Sequence, residues 1–122
     1  MTENARIKST FLGYEDHGIF TATLTLEFDG TEQGALGYCL DTYDKGRNDP
    51  LVRERRGTAF GMDHILQVLA VVGVRSWSEL VGKHIRVERA DRHTIVRIGH
   101  LVKDQWLDPH EHARRPEWHT ED

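Results

Sequence analysis

Apolar and polar residues alternate with a period of two over residues 20–28. The apolar positions are Phe20, Ala22, Leu24, Leu26 and Phe28, and the polar positions are Thr21, Thr23, Thr25 and Glu27. A strand with one buried face and one wet face requires this alternation, and β-branched threonines suit the pleated backbone. The pattern therefore predicts a strand over residues 20–28 with the apolar set facing inward.

Other segments of the chain also have the character of strands. They are residues 6–12, 35–42, 83–89 and 94–102. In the segment 35–42, Leu36, Tyr38 and Leu40 share the inward face, and Ile85 and Val87 do so in the segment 83–89. We therefore expect five strands.

A helix is predicted between the third and fourth strands. Met62, Ile65, Leu66, Leu69 and Val72 recur there at helical spacing. Thr58 is a suitable N-cap, and Gly73 is well placed to end the helix. Gly61, near the start, costs up to about 1 kcal/mol relative to alanine unless another segment packs closely against it.

The order of elements is β-β-β-α-β-β, which defines the predicted fold class. We expect an α+β domain with a small five-stranded antiparallel barrel or strongly curved sheet and one main helix. This order is OB-like, and an open sheet with the helix packed on one face is the competing arrangement. We expect one compact OB-like domain over residues 1–108 and a flexible polar tail over 109–122, in which Trp118 is the residue most able to dock on a partner.

The net charge of -4 weakens a general affinity for nucleic acid. The single cysteine, Cys39, excludes an internal disulfide and every zinc site built on paired cysteines, and we expect it to be a buried structural thiol. No apolar leader follows Met1, and no segment is apolar enough to span a bilayer. We therefore expect a cytoplasmic protein of the host cell that makes no membrane contact.

One group of candidate binding residues lies near chain turns. Tyr14 and His17 stand at the turn after the first strand, and His100 follows the fifth strand. A histidine beside carboxylates such as Asp16 can act as an acid or base. The competing interpretation is an ordinary turn, and whether His17 and His100 share a site stays open.

A second group of candidates surrounds the start of the helix. Arg47, Arg53, Arg55 and Arg56 precede the N-cap Thr58, and we expect these arginines to be solvated. Main-chain amides at a helix N-terminus can hold an anion, so the segment 53–61 is a candidate anion-binding or nucleotide-binding site. Close packing around Gly57 and Gly61 is the competing explanation of the glycines.

The sequence gives few indications of catalysis or of a metal site. His110-Glu111-His112, preceded by Asp108, is the one local cluster of metal-ligand types, and it lies in the expected tail. We find no catalytic motif, so we predict no catalytic residue, no metal and no cofactor.

The face that an OB domain offers to single strands is poor in the required residues. The outer residues of the second and third strands include acids and no aromatic ring. Positive charge comes only from the 44–56 loop and from a few arginines of the last two strands. These are Arg86, Arg89, Arg92 and Arg97.

Four phrases of the sequence resemble a family of small, uncharacterised proteins encoded by bacteriophages and prophages. The phrases are Glu15-Asp16-His17-Gly18-Ile19, Gln33-Gly34-Ala35-Leu36-Gly37-Tyr38, Gly57-Thr58-Ala59-Phe60-Gly61-Met62 and Ile98-Gly99-His100-Leu101. The resemblance covers about residues 6–108 and implies a phage setting.

A weaker resemblance concerns the end of the helix and the strand that follows it. The residues that carry it are Val72, Gly73, Val74, Trp77, Leu80, Gly82, Lys83, Ile85 and Val87. They are similar to the corresponding stretch of phage recombination-module proteins that bind single-stranded DNA through an OB-like domain. This likeness implies single-stranded DNA as a partner.

From these observations we predict a non-enzymatic phage-type binding protein. Its partner would be a host protein or a nucleic-acid-processing complex, and one such role is inhibition of a host defence nuclease. Direct binding of single-stranded DNA and binding of a nucleotide or anion are the alternatives. A homodimer stays an open alternative as well.

Overall fold

The computed structural model describes residues 2–43 and 55–119. Arg47 and Arg53, two of the predicted binding residues, lie outside the described residues, as does most of the predicted 44–56 loop. The strands are β1 (Thr2–Tyr14), β2 (Phe20–Phe28), β3 (Thr31–Cys39), β4 (Asp41–Tyr43), β5 (Arg55–Gly57), β6 (His84–Asp91), β7 (Thr94–Gly99) and β8 (Trp106–Leu107). The helices are α1 (Ala59–Val72) and α2 (Pro109–Ala113), with 3₁₀ turns at Trp77–Glu79 and Pro116–His119.

The main sheet is a curled antiparallel half-barrel in the order β3-β2-β1-β6-β7-β8. With α1 as the main helix, this arrangement confirms the predicted α+β class with a strongly curved sheet. The sheet has six strands rather than five, because the short β8 pairs with the end of β7. The third predicted strand also breaks at Leu40, and β4 beyond it forms a separate ribbon with β5. No helix among the described residues is long and apolar enough to cross a membrane.

The predicted inward face of β2 is largely correct. Leu24 and Leu26 are fully buried, and Phe28 is nearly so. Phe20 is only half-buried, because it lies at the end of the strand. Thr21 is buried, contrary to its position in the polar set, and its hydroxyl donates to the carbonyl of Tyr38 at 2.9 Å.

Helix α1 begins and ends where the sequence predicts. The Thr58 hydroxyl oxygen accepts from the Gly61 amide at 2.9 Å, and Gly73 ends the helix with a left-handed φ of 90°. Gly61 lies directly on the main chain of Leu40, where a Cβ would stand 2.3 Å from the carbonyl oxygen. Close packing therefore explains Gly61, although no atom lies within 4 Å of the corresponding position at Gly57.

The stripe of apolar residues that predicted α1 coincides only in part with the face that packs on the sheet, where Val72 is buried and Leu69 packs against the core. The buried positions of the helix are Gly61, His64, Val68, Val71 and Val72. Met62 and Leu66 remain 62% and 53% exposed. Because α1 carries apolar residues around most of its circumference, burial of one face leaves another apolar face in solvent.

The segment predicted as a polar tail is packed against α1 up to residue 119. His112 of α2 is buried, and its Nε2 lies 2.7 Å from Oδ2 of Asp63. Trp118 donates its indole N–H to the His112 carbonyl at 2.8 Å and contacts the Phe60 ring edge-on. Pro109 is buried as well, so this part of the segment has packed side chains despite its low apolar content.

His112 and His110 provide a matched test of this packing. We expect His112→Ala to lower the free energy of unfolding by about 2 kcal/mol, because it removes a buried ring and leaves Asp63 without that partner. His110→Ala, at an exposed position of the same helix, is expected to change it by less than about 0.5 kcal/mol. Urea unfolding of both variants measures the difference, and equal effects would contradict the packed arrangement.

Candidate functional site

Among the described residues, large apolar side chains are exposed on α1 and near the end of β1, and Tyr14 of β1 connects the two places through Phe20. On α1 they are Met62 and Leu66, one helical turn apart. At the far end of β1 they are Phe11, Leu12 and Tyr14, exposed by 42%, 38% and 63%. Contiguous exposed apolar surface of this kind marks interaction sites more often than isolated exposed residues do.

A groove of about 320 Å³ lies between the start of α1 and the start of β2. Its lining is mostly apolar and consists of Phe20, Leu40, Gly57, Thr58, Ala59, Gly61, Met62 and Ile65. Leu66 continues the exposed side of the helix from Met62. We call the surface formed by Phe20, Met62, Ile65 and Leu66 the α1 groove.

Tyr14 extends the α1 groove toward β1. Its ring packs edge-to-face on Phe20, with 5.1 Å between the ring centroids. Because Phe20 lines the groove, the ring contact makes Tyr14 part of one continuous apolar surface. Of the predicted binding residues that the structure describes, Thr58 lines this groove and Tyr14 borders it with an exposed side chain.

The two candidate histidines have contacts with different segments. His17 is exposed in the turn between β1 and β2, with its Nδ1 3.5 Å from Oε1 of Glu15. His100 lies after β7, where its Nδ1 accepts from the amides of Val102 and Lys103 at 3.1 and 3.0 Å. These bonds give His100 a role in shaping the turn that leads to β8.

Arg55 is not the solvated arginine that the sequence predicted. Its Nε donates to Oδ2 of Asp41 at 2.6 Å and its Nη2 to Oδ1 at 2.8 Å, and the Asp41 side chain is only 4% exposed. The Arg55 hydrogen bonds hold the pKa of Asp41 below its ordinary value. Arg56 is exposed, and Thr58 is occupied as the helix cap. Of the two described arginines before this helix, Arg55 is therefore engaged by Asp41, and Arg56 is not buried.

Cys39 is exposed, which corrects its prediction as a buried thiol. It is the last residue of the edge strand β3, immediately before the chain turns at Leu40. Its thiol donates to the Asp41 carbonyl at 3.0 Å, and the Arg55 Nη2 lies 3.7 Å from the sulfur. Cys39 stands between Tyr38 and the buried Leu40, so strand alternation places its side chain on the outer face.

Three of the four arginines on the last two long strands are engaged in internal contacts. Arg86 donates to the carbonyls of His100 and Lys103, Arg89 forms a bidentate pair with Glu3, and Arg97 pairs with Glu88. The guanidinium groups of Arg86 and Arg97 also lie 4.7 and 4.3 Å from the Trp106 ring centroid. Gly99 packs tightly against the same ring. This ring is therefore occupied by the protein itself rather than open to a base.

A buried histidine cluster at the α1–α2 contact was missed by the sequence analysis. His64 is fully buried, its ring lies 6.2 Å from that of His112, and neither ring nitrogen of His64 has a hydrogen-bond partner. Burial, together with the neighbouring His112, lowers the pKa of His64 from 6.5 to about 4, and Asp63 acts in the opposite direction. A signal was present, because His64 precedes Val68 and Val71 at helical spacing.

The described residues include no group of three or more histidine, cysteine or acidic side chains placed to hold a metal ion. His110 is exposed, while its neighbour His112 contacts Asp63, so the His110-Glu111-His112 cluster does not converge. Comparison of the chain with family models, curated protein sequences and solved structures found no match.

Proposed function

We propose that this domain is a non-enzymatic binding module that holds an apolar segment of a protein partner in the α1 groove. The observation that carries the proposal is the exposure of Met62 and Leu66 on a helix whose opposite face anchors it to the sheet. A flexible methionine beside a rigid groove suits an apolar partner surface, because its side chain adapts to irregular shapes. The partner therefore offers apolar side chains rather than phosphate or carboxylate groups.

The proposed setting follows the resemblance to phage proteins. The partner is a host protein or nucleic-acid-processing complex in the host cytoplasm, and inhibition of a defence nuclease is one such role. The same proposal treats the core as an OB-like barrel left open between β3 and β7. The strand order supports this, as does the Gln33 side chain, which donates to the His93 carbonyl across that opening at 2.9 Å.

Charge distribution favours a protein partner over single-stranded DNA or a free anion. A single-strand groove needs available cations and stacking rings, whereas Arg86, Arg89 and Arg97 are engaged by internal partners. Near the helix start, Arg55 is bound to Asp41, whereas Arg56 is exposed. The α1 groove, in contrast, requires no charge to bind an apolar segment.

The test is the double substitution Met62→Glu and Leu66→Glu. Proteins that the wild-type domain retains from a bacterial host extract are identified and purified. Each is then titrated by calorimetry against the wild-type domain and against the variant. We expect at least about a tenfold loss of affinity, because two carboxylates would be desolvated in an apolar contact. Binding to the wild-type domain should show a negative heat-capacity change, which marks burial of apolar surface.

Val102→Glu is the matched control, since Val102 is an exposed apolar residue outside the groove. It should bind the partner as the wild type does, and all variants should melt within a few degrees of the wild type. Binding that survives the double substitution, or that falls equally with Val102→Glu, would contradict the assignment of the groove.

A further inference from the structure

Strand β1 extends well beyond the strand that pairs with its outer edge. β6 pairs only with residues Thr2–Arg6 of β1. The turn before β6 then covers Ile7, which accepts from the Gly82 amide at 2.7 Å and donates to the Lys83 carbonyl at 2.8 Å. From Ser9 to Tyr14, β1 pairs with β2 alone. In the part of the chain that the structure describes, this stretch has an open strand edge.

The hydrogen-bonding groups on that edge follow from the register. The Glu15 amide donates to the Ile19 carbonyl at 2.9 Å, so the main chain of Glu15 faces the β2 side. Successive residues of an antiparallel strand alternate in the direction of their N–H and C=O groups. Thr10, Leu12 and Tyr14 therefore direct their main-chain donors and acceptors outward, away from β2.

The composition of this edge favours pairing with another strand. Residues Ser9-Thr10-Phe11-Leu12-Gly13-Tyr14 carry no charge and no proline. Natural edge strands are usually protected by lysine, proline, a bulge or a covering loop. Here the bulge beside Lys8 and the covering turn both end before Ser9, and the Trp77 indole N–H beyond them donates to the Thr10 side-chain hydroxyl at 3.1 Å. An unprotected edge with exposed apolar residues is a site for strand addition.

We propose that the occupant of this edge is β1 of a second copy of the chain, paired antiparallel about a twofold axis at Leu12. The outward residues are symmetric about Leu12, so this register matches Thr10 with Tyr14 of the second copy and forms about six main-chain hydrogen bonds. Antiparallel pairing also brings Lys8, whose ammonium group contacts Glu32 of its own chain, toward the acidic turn at Glu15 and Asp16 of the other copy. Charge complementarity thus favours self-association, and a twofold arrangement closes at the dimer.

This dimer goes beyond the proposed function and can be tested without a partner. Sedimentation equilibrium of the wild-type chain over a range of concentrations should show a monomer–dimer equilibrium. Leu12→Lys should raise the dissociation constant at least about tenfold, because two lysines would meet at the axis. Val102→Lys is the control, since Val102 is 81% exposed and lies on another surface. It should leave the equilibrium unchanged.

A cross-linking variant tests the position of the contact without relying on the dissociation constant of the dimer. Directly paired residues of antiparallel strands have Cα atoms about 5.5 Å apart, within the range of a disulfide. In a Cys39→Ser background, Leu12→Cys should therefore form a covalent dimer on mild oxidation, and Val102→Cys should not. A wild-type chain that stays monomeric at its highest soluble concentration would overturn the proposal. So would a dimer that Leu12→Lys leaves intact and Met62→Glu abolishes, a result that would instead assign self-association to the α1 groove.

Discussion

Replacing Gly61 with alanine is expected to lower the free energy of unfolding by about 3 kcal/mol, despite the higher helix propensity of alanine. The added Cβ would lie 2.3 Å from the Leu40 carbonyl oxygen and 2.9 Å from its carbonyl carbon. Both are main-chain atoms that cannot rotate away. The Leu40 carbonyl also accepts from the Thr58 amide and the Thr58 hydroxyl, so moving it would disturb the cap of α1.

Gly57→Ala is the control for this substitution, because Gly57 lies next to the same helix and no atom of the described residues comes within 4 Å of its added Cβ. We expect it to change the free energy of unfolding by less than about 0.5 kcal/mol. Urea unfolding of the two variants measures the difference in the free energy of unfolding. The slopes of this free energy against urea concentration are also compared. A Gly61→Ala protein as stable as the wild type would show that α1 does not lie against Leu40 as described.

The start and end of α1 could be predicted because their signals are local. Thr58 bonds the amide three residues later, and Gly73 adopts its left-handed conformation within the helix terminus. The buried face of α1 could not be predicted in the same way. Met62 and Val68 are both apolar, and only the position of the sheet decides which of them is covered. The exposed face of the α1 groove is therefore a tertiary property of the fold.

The candidate site illustrates the same limit for charged residues. The pairing of Arg55 with Asp41 depends on the β4–β5 ribbon, and the contact of His112 with Asp63 joins residues 49 positions apart. Charge patterns along the chain do not reveal such pairs. Composition predicted solvated arginines and a polar tail because it reflects only how hydrophilic the residues are. A few long-range contacts are enough to bury hydrophilic side chains or to engage them in ion pairs.

As the pH falls, we expect the protonation of His64 to destabilise the domain before the protonation of the carboxylates does. His64 is buried without a hydrogen-bond partner, and burial lowers its pKa from 6.5 to about 4. Between these values the unfolded chain binds a proton that the folded chain excludes, so stability is complete above pH 6.5 and falls as the pH decreases toward 4. The full loss is roughly 3 kcal/mol, of which about 2 kcal/mol should appear by about pH 5.

His64→Leu separates this effect from other titrations. Leucine removes the titrating ring and its unpaired nitrogens, so the variant should be at least as stable at neutral pH and should lose most of the dependence between pH 7 and about 5. Carboxylates act later, because the ordinary pKa of a group such as Glu3 is 4.5 and its hydrogen bonds with Arg89 lower it further. His17→Leu, at a side chain that is 86% exposed, should keep the wild-type profile. Urea unfolding at a series of pH values tests both variants, and a His64→Leu profile that parallels the wild type would show that this buried ring does not control the acid response.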